Sequence, residues 1–256
     1  MKADEFFIGY APPMPPQLAR FVARTVFGLA CGALTWAATL AAGHVPLDGG
    51  TFEFGHPQRF IGTVVEHPYP ALRPEEESGM DARWMLLVAP GKHGADSIVR
   101  GLDRRRVSLM GTRIRRGRQT MIEIEPDSIV PVEESKASTM AETVAADGRS
   151  DDRPVEVRGE IVDSKCFLGV MVPGSGKTHK DCAALCLRGG VPPALHVQDR
   201  SGRSSVVLLT GSTGEKIGAE HLQRAGEAID MTGVVGRQGG WLMLRSDPRS
   251  WRPVAR

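Results

Sequence analysis

Three of the four cysteines lie within one short stretch, Cys166 to Cys186, and a single histidine, His179, lies among them. His179, Cys182 and Cys186 are spaced i, i+3 and i+7. On a helix that spacing puts all three on one face. Cys166 lies upstream of Pro173-Gly174-Ser175-Gly176, a turn that can fold it back onto that face. Three thiols and one imidazole form a tetrahedral ligand set for a soft or borderline metal. Zinc fits by ligand type, and copper is the second candidate, with Met171 close in sequence.

Two other chemistries use the same residues. A disulfide between Cys166 and Cys182 or Cys186 would staple the segment, leaving one thiol over. Cys182 and Cys186 are themselves about 6 Å apart on a helix, reachable but poorly aimed. A thiol-disulfide redox centre is the third reading, with Cys182 near a helix N-terminus and an imidazole beside it. Haem attachment is excluded, because the cysteines are C-x-x-x-C and no histidine follows. Gly174-Ser-Gly-Lys-Thr178 imitates the end of a phosphate-binding loop, but Met171 stands where that motif needs glycine. No nucleotide is expected, and no catalytic triad, carboxylate pair or dinucleotide turn is recognisable.

The elements that must position these residues are short. Thr178 or Ser175 can cap a helix over residues 178–188, which Gly189-Gly190 and Pro192-Pro193 stop. Around it the chain reads as a duplication. Phe60–Glu66 resembles Val157–Asp163, Trp84–Ala89 resembles Ser205–Thr210, and Val107–Gly111 resembles Ile229–Gly233. Each third segment leads through a glycine turn into a further apolar strand, Thr120–Ile124 or Trp241–Leu244. Short alternating strands with glycine turns predict a mainly β protein of two small antiparallel, OB-like barrels. The first occupies residues 51–132 and the second 154–256, with a polar linker over 133–153. The Cys/His segment falls after the first strand of the second barrel. The matching place in the first holds a Pro-rich acidic excursion, Pro68–Met80.

Residues 25–43, TVFGLACGALTWAATLAAG, carry no charge and are long enough to span a bilayer core of about 30 Å. Arg20 and Arg24 precede them, and no Lys or Arg follows until Arg59. The positive-inside rule then gives a cytoplasmic tail over 1–24, a single-pass transmembrane anchor over 25–43, and exported C-terminal domains. A cleaved signal peptide ending at Ala41-Ala42-Gly43 is the competing reading. Cys31, inside the apolar run, reads as a small buried hydrophobe.

The net charge of +2 gives no bulk attraction to a polyanion. Arg104, Arg105, Arg106, Arg113, Arg115, Arg116 and Arg118 make a local basic patch. With few aromatics and an exported setting, it reads as a solvated strand face, with anionic lipid as the alternative and no nucleic acid. His67, His93, His196 and His221 are scattered. Only His196, on the strand after Pro193, is close enough in sequence to support the site from outside the ligand set.

The whole segment runs Asp163-x-Lys165-Cys166, Met171-x-Pro173-Gly174-x-Gly176, His179-x-x-Cys182-Ala183-x-x-Cys186 and Gly189-Gly190-x-Pro192-Pro193. It resembles a pattern in uncharacterised bacterial membrane-anchored or exported proteins. The resemblance covers about thirty residues. It implies a bacterial envelope protein and carries no reaction with it; with the charge asymmetry, the expected place is the inner membrane, with periplasmic domains. The expectation is a non-enzymatic accessory protein of an envelope complex, serving electron transfer or assembly. A Cys/His metal module would be held by Cys166, His179, Cys182 and Cys186. A redox protein or a disulfide-stapled binding module is the alternative.

Overall fold

The structure is a computed structural model, and it describes residues 14–43, 49–75, 83–132, 153–199 and 204–254. Of the expected linker, only Arg153 falls among them. The helix α1 covers Pro16–Gly43, starting a little over two turns before the uncharged run. It is the one helix, among the described residues, long and apolar enough to cross a membrane. None of its residues, Cys31 included, is buried within the protein. Residues 48–256 form a separate compact unit.

That unit contains two closed five-stranded barrels. The first is built from β1 (Thr51–Phe52), β2 (Gln58–Val65), β3 (Ala71–Pro74), β4 (Met85–Ala89), β5 (His93–Gly94), α2 (Asp96–Val99), β6 (Arg106–Arg116), β7 (Gln119–Ile124) and β8 (Val130–Pro131). Strands β2, β3, β4, β7 and β6 close the ring in that order, with β4 and β7 parallel and every other pair antiparallel. A short helix between the third and fourth barrel strands completes an OB-like topology. Alternation in β2 sends Phe60, Gly62 and Val64 inward. Phe60 and Val64 pack there on Leu72, Leu87, Leu109 and Ile122.

The second barrel repeats the plan. It contains β9 (Val155–Asp163), a π-type turn at Cys166–Val170, α3 (Lys180–Arg188), β10 (Pro193–Gln198), β11 (Ser204–Thr210), β12 (Ala228–Gln238), β13 (Trp241–Arg245) and β14 (Arg252–Pro253). Strands β9, β10, β11, β13 and β12 close it, again with one parallel pair, β11 with β13. Each pair of similar sequence segments therefore occupies the same strand position in the two barrels.

Two local expectations need correction. The excursion of the first barrel is not equivalent to the Cys/His segment, because β3 itself lies inside it, at Ala71–Pro74. Its first two strands are joined by residues 66–70 alone, whereas residues 164–192 join β9 to β10. Further, α3 begins at Lys180, and the residue at its N-cap is His179, with no side-chain cap. The histidine is buried and turned to another partner, so tertiary packing overrides the capping preference.

The barrels share a core. Tyr69, Leu86, Val88, Ile114 and Met121 of the first pack with Val162, Phe167, Leu168, Val206 and Trp241 of the second, and Cys166 and Cys186 belong to the same cluster. Polar contacts fix the seam. Tyr69 Oη donates to Leu209 O at 2.7 Å, Trp241 Nε1 donates to Trp84 O at 2.8 Å, and Gly94 N donates to Gly189 O at 2.9 Å. The Cys/His segment thus lies between the barrels rather than on an outer loop of one.

Candidate functional site

Seven polar side chains are buried among the described residues, and four belong to the segment: Asp163, Ser164, Lys165 and His179. Buried polar groups need partners. Asp163, fully buried at the end of β9, accepts from the Cys166 amide through Oδ1 at 2.8 Å. Through Oδ2 it accepts from His179 Nε2 at 2.8 Å. The carboxylate therefore starts the turn that carries Cys166 and fixes the imidazole ring. With the proton on Nε2, the lone pair sits on Nδ1. That atom is buried and has no hydrogen-bond partner among the described residues.

Two of the thiols lie near this ring. A ring nitrogen of His179 and the sulfurs of Cys166 and Cys182 lie within 4.8 Å of one another, as do Cys166 Sγ, Cys186 Sγ and an oxygen of Asp163. Cys166 is common to both sets, and its sulfur is 4.0 Å from that of Cys186. Sulfurs on one tetrahedral zinc are about 3.8 Å apart, given bonds of about 2.3 Å. A disulfide would need about 2.05 Å, and all four cysteines are free. Cys166 and Cys186 share a hydrogen bond. That bond, with burial and Asp163, pushes the Cys166 thiol well up, while Cys186 is lowered by the same bond.

Glycine makes the convergence sterically possible. A Cβ on Gly174 would stand 2.6 Å from Cys166 O and 2.7 Å from Phe167 Cα, so the Pro173-Gly174 turn lies directly on the backbone of the first cysteine. The next amides do not form a phosphate cradle, because Gly176 N donates to Glu160 Oε1 at 2.5 Å.

Two lysines tie the segment to the first barrel. Lys165, 2 % exposed, donates through Nζ to Ala89 O at 2.9 Å and Gly91 O at 2.6 Å and pairs with Glu123 of β7. Lys92, in the β4–β5 turn, has its Nζ 2.7 Å from Cys182 Sγ, and that contact raises its pKa. Among the described residues, His196 makes no hydrogen bond to the ligand set. Its ring packs on Phe167 with centroids 4.8 Å apart, and burial and then Arg116 lower its pKa. Arg116 covers Phe167 from the first barrel at 4.1 Å.

Of the four candidate ligands named from sequence, the structure places Cys166, His179 and Cys182 in one set and Cys166 and Cys186, with Asp163, in another. Sequence reasoning missed Asp163 as the orienting carboxylate and Lys92 as a neighbour. Asp163 stood in the quoted segment three residues before Cys166, the signal that could have found it. Lys92 is far away in sequence and left no signal. Members of the basic patch hold partners within the molecule: Arg106 with Glu75, Arg115 with Glu53 at 3.8 Å, and Arg113 with Gln58 at 3.1 Å.

The chain matches no family model, no curated protein and no solved structure.

Proposed function

We propose that the second barrel binds one metal ion through Cys166, His179 Nδ1, Cys182 and Cys186, with zinc favoured and copper(I) second. The observation that carries this reading is the His179 imidazole, held by a buried carboxylate at one nitrogen and left without a partner at the other. A metal ion satisfies that nitrogen, and a carboxylate on the far side of a ligating histidine is a common orienting arrangement. Cys166 and Cys182 lie within 4.8 Å of the ring, and Cys186, 4.0 Å from Cys166, would complete a closed four-coordinate site. Such a site has no open position for water or substrate, so its role is structural or in electron and metal handling rather than Lewis-acid catalysis.

The charge asymmetry around α1 supports a single-pass anchor in a bacterial inner membrane with both barrels in the periplasm. The resemblance of the Cys/His segment to membrane-anchored and exported proteins points the same way. The protein then contacts the bilayer through residues 25–43 and serves as an accessory subunit of an envelope complex in electron transfer or assembly. A thiol redox centre is the second reading, favoured by Lys92 against Cys182, since a neighbouring cation promotes a reactive thiolate. Metal analysis with thiol titration separates the two. A metal module masks its thiols until chelator is added, whereas a redox centre shows a reversible disulfide in metal-free protein.

A further inference from the structure

All four candidate ligands belong to the second barrel, yet the site is not enclosed by that barrel alone. Cys166, Cys186 and His179 are buried, at 4 % exposure or less, while Cys182 is partly open. The open edge is where the first barrel arrives. Lys92 Nζ lies 2.7 Å from Cys182 Sγ. Its backbone is clamped as well. A Cβ on Gly189 would meet Lys92 O at 1.8 Å, and Gly94 N donates to Gly189 O at 2.9 Å. Gly189 ends α3, the helix that carries Cys182 and Cys186. The β4–β5 turn is therefore seated on the C-terminal end of the ligand helix, and the lysine reaches along it to the sulfur.

Charge explains why a cation belongs there. Three thiolates on a divalent ion leave one net negative charge, and buried Asp163 adds another beside it. Lys165 faces Glu123 and cannot serve. We propose that Lys92 is a positioning residue of the metal site, supplied by the first barrel. It neutralises the charge gathered on the metal-bound sulfurs, fixes Cys182 and closes the edge through which the ion would exchange. The inference rests on the metal reading above. It adds that metal affinity depends on a residue outside the barrel that holds the ligands.

The test uses the full chain in detergent micelles, with zinc and cobalt(II) as probes. Zinc affinity is measured by competition with a chromogenic chelator for wild type, Lys92→Met and Lys92→Arg. Loss of a group that supports metal ligands lowers affinity about 10- to 100-fold. Lys92→Met should do so, speed zinc release, and shift the thiolate-to-cobalt charge-transfer band. Lys92→Arg should recover most of the affinity. A purely structural lysine would not move the cobalt band. Lys92→Gln repeats the measurement should Lys92→Met misfold by circular dichroism. Wild-type affinity and an unshifted band in the folded neutral variant would overturn the role of Lys92 while leaving the metal site standing. A wild-type chain that binds neither ion, nor copper(I), would overturn both.

Discussion

Asp163 and His179 form a buried pair, with Oδ2 2.8 Å from Nε2, in which the carboxylate also holds the Cys166 amide at 2.8 Å through its other oxygen. One side chain thus sets the ring of one candidate ligand and the backbone of another. Asp163 ends β9, so the barrel itself fixes where both point.

Asp163→Asn should therefore weaken zinc binding about 10- to 100-fold, because the amide is a poorer acceptor and can present its NH₂ to the ring. Zinc competition titration of the full chain checks this. An affinity within a factor of two of wild type would contradict the role assigned to Asp163.

Lys165→Met should destabilise the two-barrel unit by about 1–3 kcal/mol, the usual cost of leaving buried acceptors without their donor. It leaves Glu123 and the carbonyls of Ala89 and Gly91 without their cation. Urea unfolding followed by tryptophan fluorescence reads the shift, since Trp84 and Trp241 are bonded across the seam.

Gly189→Ala places a methyl group 1.8 Å from Lys92 O, and backbone cannot yield cheaply there. A loss of about 1–3 kcal/mol is expected from overpacking. Lys92 should also move off Cys182, so the edge of the site opens and bound zinc should leave faster than in wild type. Unchanged stability and an unchanged zinc release rate would show that the turn adapts.

A periplasm-specific reporter fused after Arg256 should be active, and a cytoplasm-specific one silent. Arg20 and Arg24 before the apolar run set that orientation. Activity of the cytoplasmic reporter would reverse the topology.

Much of this architecture was legible in sequence, for definite reasons. Period-two alternation and glycine turns mark the barrel strands. The i, i+3, i+7 spacing marks His179, Cys182 and Cys186, and Gly174 marks the fold-back onto Cys166. The seam was not legible. Tyr69, Trp84, Lys92 and Glu123 reach partners between 42 and 157 residues away, and no local pattern encodes such contacts. The helix cap misled for a related reason. His179 at the N-cap answers to Asp163 rather than to its own helix, and neither Ser175 nor Thr178 takes the cap.

The most direct measurement is metal content with thiol counting on the full chain carrying Cys31→Ser, so that only the three site thiols remain. One equivalent of zinc or copper per chain is predicted, with three thiols protected from a disulfide reagent under native conditions. All three should become reactive as chelator removes the metal. A metal-free chain with a single reactive thiol, and two more appearing only after reduction, would contradict the account and establish a disulfide in its place.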